Sequence, residues 1–220
     1  MTSFVPGTKL VIEEKVMINI GVLASGRGTN LQAIIEAIKE GKIEGRISIV
    51  ISDNRDAFAL KRAKQNNIET EYINFKSFKN REDYDKEIIK ILEEKKIDLV
   101  VLAGYMRILS PYFIRTYKNK IINIHPALLP SFSGLHAQRQ AVEHGVKVSG
   151  CTVHFVDEGV DSGPIILQKS VEVKAADTEE SLAEKILKEE HQIYPQAIQL
   201  FCQGRLIIKD RKVFIKKRSI

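Results

Sequence analysis

The chain has 220 residues, 44% of them hydrophobic and 28% charged, enough to bury a full core in one domain and unlike a disordered or fibrous composition. Its longest apolar run, Leu99 to Met106, falls far short of the roughly 20 residues of a membrane span, and the N-terminus lacks the basic-then-apolar pattern of a secretory signal. The net charge of +6 is concentrated, because six basic residues and one acid between Lys209 and Arg218 hold +5 and leave the body nearly neutral; a nucleic-acid-binding face is therefore disfavoured and the tail reads as solvated.

Residues 1–16 precede the first pattern and read as an extension, an alternative start or an expression remnant. From Met17 onward strands and helices alternate. Ile18 to Leu23 reads as a buried strand, Leu31 to Glu40 as a helix, Ile47 to Ser52 as a second strand and Ala57 to Asn66 as a second helix. Glu69 to Ile73 is a third strand. Arg81 to Lys95 follows as a helix, with Tyr84, Ile88, Ile91 and Leu92 close to a 3.6 period. Leu99 to Ala103 is continuously apolar, as in a parallel sheet covered on both faces. Ile121 to His125 is a fifth strand. This alternation predicts βαβ units and a Rossmann-like sheet.

After His136 the pattern changes. Ser149 to Phe155 and Ile165 to Val173 read as strands joined by a polar loop, Val156 to Pro164. Thr178 to Phe201 is one long helical pattern that Pro195 is expected to kink or divide. Arg205 to Ile208 and Lys212 to Ile215, around Asp210, predict a hairpin. No repeat or linker interrupts the chain, so 17–204 reads as one domain, followed by a hairpin and basic tail at 205–220. Cys151 and Cys202 stand apart from any ligand cluster and read as reduced thiols of a cytoplasmic protein.

Three segments carry candidate chemistry. In Ile122-Asn123-Ile124-His125-Pro126-Ala127-Leu128-Leu129-Pro130, an apolar run ends in an amide and an imidazole. Ligands of α/β proteins bind beyond the carboxyl ends of the strands, and these side-chain types suit acyl-type transfer. The plainer reading is a strand end capped by polar side chains. Ser25-Gly26-Arg27-Gly28-Thr29-Asn30 lies between the first strand and first helix. Its small residues let backbone N–H groups converge on a phosphate at the helix N-terminus. The alternative is a tight turn with Thr29 or Asn30 capping the helix. The segment is neither G-x-G-x-x-G nor a Walker A sequence. Asp157-Glu158-Gly159-Val160-Asp161-Ser162-Gly163-Pro164 is an acidic loop that is either a solvated connection or the source of a carboxylate for the site. Beside His125, Asp161 would raise the imidazole pKa and fix its tautomer. His144, His154 and His191 read as structural or exposed, and His136 could cover a site. No grouping has zinc spacing, so no metal is expected.

Together these pieces resemble the phosphoribosylglycinamide formyltransferase family, folate-dependent enzymes of purine synthesis, from about Met17 to about Phe201. The resemblance rests on Ala103-Gly104-Tyr105-Met106-Arg107-Ile108-Leu109-Ser110, on Asn123 to Pro130 with Gly134-Leu135-His136, and on Thr152 to Asp157 continuing through Asp161 to Pro164. It implies a Rossmann-like formyltransferase fold, α/β, with a mostly parallel sheet in the N-terminal half and antiparallel strands and a long helix in the C-terminal half. It implies formyl transfer from 10-formyltetrahydrofolate to the amine of glycinamide ribonucleotide. Asn123, His125 and Asp161 would be catalytic, with Asn123 and a protonated His125 meeting the oxyanion. Gly28, Thr29 and Asn30 would hold the 5′-phosphate, and Glu190 the glycinamide end. Met106, Arg107, Ile108 and Leu109 would line the folate pocket, with Arg81, Asn123 and Asp157 also meeting the folate. Ser133 departs from the family, where proline often precedes the glycine of Gly-Leu-His.

Small-molecule partners alone are expected, with neither nucleic acid nor membrane, and a monomer or homodimer. A methionyl-tRNA formyltransferase would need a further RNA-binding domain, and a formyltetrahydrofolate hydrolase would usually carry a regulatory domain that 16 residues cannot supply. A dinucleotide-dependent oxidoreductase would explain the Rossmann-like half, but it lacks its glycine fingerprint and has only Asp53 as a ribose-binding acid.

Overall fold

The computed structural model describes residues 17–217. The extension at 1–16 and the last three residues of the basic tail lie outside the described residues.

Five parallel strands form the first part of the sheet: β1 (Ile18–Leu23), β2 (Gly45–Ser52), β3 (Thr70–Tyr72), β4 (Leu99–Leu102) and β5 (Ile121–His125). Between them run α1 (Thr29–Lys39), α2 (Phe58–Gln65), α3 (Arg81–Glu94) and α4 (Pro111–Thr116). Then α5 (Ala137–Glu143) leads into β6 (Val148–Phe155) and β7 (Ile165–Glu172), both added antiparallel, and α6 (Glu179–Cys202). A hairpin, β8 (Leu206–Lys209) and β9 (Lys212–Ile215), follows. The strand order is β3-β2-β1-β4-β5-β6-β7-β9-β8. The hairpin joins the sheet where Lys212 of β9 pairs with Ile165 of β7.

The parallel strands are apolar because both sheet faces are covered. Alternate residues separate cleanly. Ile20 and Val22 of β1 and Leu99 and Val101 of β4 pack under α1 and α6 with Leu31, Ile34 and Tyr194. Leu23, Val100 and Leu102 pack on the other face with Ile88 and Leu92 of α3 and Phe113 of α4.

The long helix is not divided at Pro195: α6 runs unbroken for 24 residues. A proline there removes one backbone hydrogen bond. Ile193, Tyr194, Ala197, Ile198 and Leu200 are buried around it, and their combined apolar burial outweighs that loss. The Tyr194 hydroxyl lies 2.9 and 3.0 Å from the carbonyl oxygens of Leu102 and Ile122, so it pins α6 across the neighbouring strands β4 and β5. Two short helices, α4 and α5, add to the predicted elements. The first carries a legible start: Ser110 caps the Phe113 N–H, and Pro111 opens the first turn.

Candidate active site

Side chains two apart on a strand share a face. Asn123 and His125 therefore emerge together at the end of β5. In the antiparallel register Asn123 lies opposite His154, and His125 opposite Thr152. The Pro126–Leu135 loop is tied down behind them: Leu129 N–H donates to Thr152 Oγ1, which itself donates to the Ala127 carbonyl. Asp161 enters from the 156–164 loop. Its Oδ2 is 3.2 Å from His125 Nδ1 and accepts the Gly134 N–H at 2.9 Å. Its Oδ1 is 3.4 Å from Asn123 Nδ2 and 3.6 Å from His154 Nε2. Asn123 Nδ2 also lies 3.2 Å from His154 Nε2. Asn123, His125 and Asp161 are thus brought into one cluster.

His154, read as a structural or exposed strand residue, adjoins that cluster. It is buried, and its Nδ1 lies 2.8 Å from the Phe155 carbonyl. A carbonyl only accepts, so Nδ1 donates there, and Nε2 is left facing Asn123 and Asp161. Pairing β5 antiparallel to the Ser149–Phe155 pattern and following the alternation would have placed His154 beside Asn123.

The electrostatics show the expected push from Asp161 on His125 set against burial. Burial is the largest influence on His125 and takes its pKa below the usual 6.5, while Asp161 and the Phe132 carbonyl push the other way. The ring is buried, and desolvation disfavours the charged form more than one partly exposed carboxylate favours it. The resting imidazole is therefore less basic than expected from Asp161 alone. For Asp161, burial opposes the charge. The His154 ring, the Gly134 N–H and the field of His125 outweigh burial and hold the carboxyl below its usual value.

The loop bearing Asp161 is shaped by its own side chains. Asp157 accepts from Ser162 Oγ at 2.6 Å and from Gly159 N–H at 3.2 Å. Asp161 sits at φ 50°. At Gly163 a Cβ would lie 1.8 Å from the Phe155 carbonyl oxygen, so only glycine fits where the loop returns past the end of β6. Arg211 of the C-terminal hairpin donates to the Ser162 carbonyl at 2.6 Å.

The second group lies at the start of α1. Gly28 is the N-cap, at φ 68°, and a Cβ there would meet Ala59 Cα at 2.7 Å. Neither Thr29 nor Asn30 caps the helix with its side chain, as the simple turn reading expected. Asn30 Nδ2 instead donates to Glu190 Oε2 at 2.8 Å. The first-turn N–H groups thus keep their capacity for an anion. Burial pushes the Glu190 carboxyl up to about 7, against the opposing bond from Asn30.

The third group follows β4. Met106 and Ile108 are exposed, as is Arg81 at the start of α3. The Leu109 side chain turns into the core, so it offers its main chain alone. Arg107 pairs with Asp53 at 2.7 Å, so Asp53 is not an open ribose-binding acid. The field of Arg81 reaches buried Asp85, which accepts the Ser110 N–H at 2.6 Å. A separate groove of about 610 Å³ runs between α1 and α6 and shares only Thr29 with these groups.

A covered, mostly parallel sheet, with amide, imidazole and carboxylate converging beyond one strand end, defines an α/β enzyme suited to acyl-type transfer. Residues 18–198 match the formyl transferase family, and the chain belongs to that family. It is 46% identical over 197 residues to the phosphoribosylglycinamide formyltransferase of Escherichia coli (strain K12), covering 90% of this chain and 93% of that one. It is 49% identical over 191 residues to the human trifunctional purine biosynthetic protein adenosine-3, covering 87% of this chain but 19% of that much longer protein. The crystal structure of glycinamide ribonucleotide transformylase 1 from Symbiobacterium toebii superposes with a TM-score of 0.90 at 52% identity, covering 91% of this chain and 95% of that one.

Proposed function

We propose that the protein transfers a formyl group from 10-formyltetrahydrofolate to the amine of N1-(5-phosphoribosyl)glycinamide, giving formylglycinamide ribonucleotide and tetrahydrofolate in purine biosynthesis. The observation that carries this reading is the Asn123–His125–Asp161 cluster, in a chain 46% identical to the E. coli phosphoribosylglycinamide formyltransferase over nearly its whole length.

Backbone N–H groups of Gly28, Thr29 and Asn30 hold the 5′-phosphate at the N-terminus of α1. Glu190, oriented by Asn30, binds the glycinamide end. Met106 and Ile108 supply apolar surface for the folate, with Arg81, Arg107, Asp157 and the main chain of Leu109 around it. When bound, the folate supplies an activated formyl group. Asn123 turns one amide N–H from His154 or Asp161 toward the formyl oxygen as charge develops there. His125 Nε2 lies 2.8 Å from the Phe132 carbonyl, so a second proton on the ring sits at Nδ1, facing Asp161. The substrate amine attacks the formyl carbon, and the tetrahedral intermediate collapses by breaking the bond to the folate nitrogen; Asp161 stabilises the His125 proton while the charge develops and, through water, helps relay the proton lost by the amine to that leaving nitrogen. The reduced thiols and near-neutral body support a cytoplasmic enzyme, monomeric or homodimeric, without nucleic-acid or membrane partners.

The test is product formation by the purified protein supplied with both substrates. Formylglycinamide ribonucleotide appearing in step with tetrahydrofolate is expected. Formate release that does not depend on the ribonucleotide would replace this reading with a hydrolase.

A further inference from the structure

We propose that Asp53 is a positioning residue for the formyl-donor half of the site, acting through Arg107. The inference rests on the assignment of residues 106–109 to that half. In the strand order β2-β1-β4, the turns after β2 and β4 flank the loop that follows β1. Asp53 lies in the first turn and Arg107 in the second, so their side chains meet over the end of β1. Arg107 Nε donates to Asp53 Oδ2 at 2.7 Å. The Asp53 side chain is 9% exposed and that of Arg107 34%, so solvent and salt screen this pair less than a surface pair.

Arg107 is held from a second side. Its guanidinium carbon lies 4.0 Å from the centroid of the Phe75 ring, a cation–π contact. Phe75 packs edge-on against Tyr84, whose hydroxyl accepts from Tyr105 at 3.2 Å. Asp53 Oδ1 is buried and has no hydrogen-bond partner among the described residues. The Arg107 contact is therefore what offsets the burial of this carboxylate.

The same segment is clasped to the loop after β1. Ser25 N–H donates to the Gly104 carbonyl at 3.0 Å, and Met106 N–H donates back to Ser25 Oγ at 2.9 Å. Asn54, next to Asp53, donates to the Ser25 carbonyl at 3.3 Å. The loop leading to Gly28, the turn bearing Asp53 and the segment bearing Met106 and Ile108 form one hydrogen-bonded unit. Without the Asp53 charge, Arg107 loses the group that holds it over Phe75, and the donor-facing backbone loosens at one end. The Gly26–Gly28 end of the first loop is held separately, by the Ala59 N–H on the Gly26 carbonyl at 3.1 Å and the Gln32 N–H on the Gly28 carbonyl at 3.0 Å, and the Asn123–His125–Asp161 cluster stands on other elements, so the effect falls on donor affinity and neither on the ribonucleotide nor on the chemical step.

The experiment compares wild type, Asp53→Asn, Asp53→Ala, Arg107→Gln and the Asp53→Asn/Arg107→Gln double variant. KM for each substrate, kcat, melting temperature and calorimetric binding of tetrahydrofolate are measured. Wild type that neither binds tetrahydrofolate nor forms product overturns the functional reading itself, whatever Asp53 does. Given an active wild type, Asp53→Asn is expected to raise the donor KM and weaken tetrahydrofolate binding by about 3- to 10-fold, and to add nothing in the Arg107→Gln background. KM for the ribonucleotide and kcat should stay within about 2-fold of wild type. An unchanged donor KM, equal losses for both substrates, or fully additive losses in the double variant would overturn the proposal. Asp53→Asn keeps the shape of the side chain, so the test stands even if Asp53→Ala fails to fold.

Discussion

Asp161 Oδ2 lies 3.2 Å from His125 Nδ1, with the Gly134 N–H donating to the same oxygen from 2.9 Å. The other ring nitrogen faces the Phe132 carbonyl at 2.8 Å, which fixes it as a donor. Nδ1 is therefore the only place on His125 for a second proton. Burial resists that proton and Asp161 favours it. A ring balanced in this way gains its charge most readily when negative charge develops beside it, as on the oxygen of a carbonyl under attack.

Asp161→Asn should therefore damage turnover far more than nucleotide binding. The substitution keeps size and removes the charge that favours protonated His125, so the His125 pKa falls further. Loss of a preorganised charged element of this kind costs on the order of 100-fold in kcat. Affinity for the ribonucleotide, which the proposed function places at the N-terminus of α1, should change by less than about 3-fold. Kinetics together with NMR titration of His125 test both links; an unchanged titration would break the coupling.

The end of β5 was legible because an apolar run stops at Asn123 and His125, and strand ends are where α/β sheets place ligands. Asp161 was harder to assign, since its approach depends on β6 turning back antiparallel and on a loop whose path is set by Gly163. His154 was missed because its type alone says nothing, whereas its register opposite Asn123 says a great deal. The net pKa direction of His125 was not legible for a related reason, although Asp161 does push it upward as expected. Sequence shows the neighbouring charge but not the depth of burial. At Pro195 the helix is not divided, because a local rule about helices yields to the packing of a helix buried along one face.

Glu190→Gln should weaken ribonucleotide binding yet stabilise the unliganded fold at alkaline pH. Burial raises the folded pKa to about 7, above the ordinary glutamate value near 4.3. The folded state thus binds more protons than the unfolded state between these limits, and wild-type stability falls as pH rises through that window. The variant lacks this loss. Its advantage over wild type should grow from about pH 4.5 to pH 7 and then level off, at no more than about 4 kcal/mol. Urea denaturation across this range measures it; parallel curves for the two proteins would mean that Glu190 does not titrate there.

Gly163→Ala should be costly in both stability and rate. The added methyl would stand 1.8 Å from the Phe155 carbonyl oxygen, a backbone atom that cannot rotate away. Either the end of β6 or the Asp161 loop must shift. A loss of about 2–4 kcal/mol is expected from such overpacking against backbone. A residual kcat at least about 10-fold below wild type should accompany it, because a 1 Å displacement of a catalytic group is felt at that level. Thermal melts and single-turnover rates on the folded fraction separate the two effects. Normal turnover would show that Asp161 does not depend on this return path.

The C-terminal hairpin offers the last test, because it follows the 18–198 family match and still touches the site loop. Arg211 is exposed and reaches the carbonyl of Ser162, the residue after Asp161, at 2.6 Å. An exposed hydrogen bond contributes little to global stability, so Arg211→Ala should change it by less than about 0.5 kcal/mol. Its effect belongs to the loop. With Ser162 released, Asp161 keeps the Gly134 N–H but loses one anchor on its C-terminal side, and its distance to His125 becomes less well defined. A fall in kcat of about 3- to 10-fold is expected, with KM for the ribonucleotide unchanged. Arg211→Lys should recover part of the loss, since an ammonium can reach the same carbonyl with a single donor. A wild-type kcat in Arg211→Ala would mean that the loop is held by Asp157, Gly134 and Gly163 without help from the hairpin.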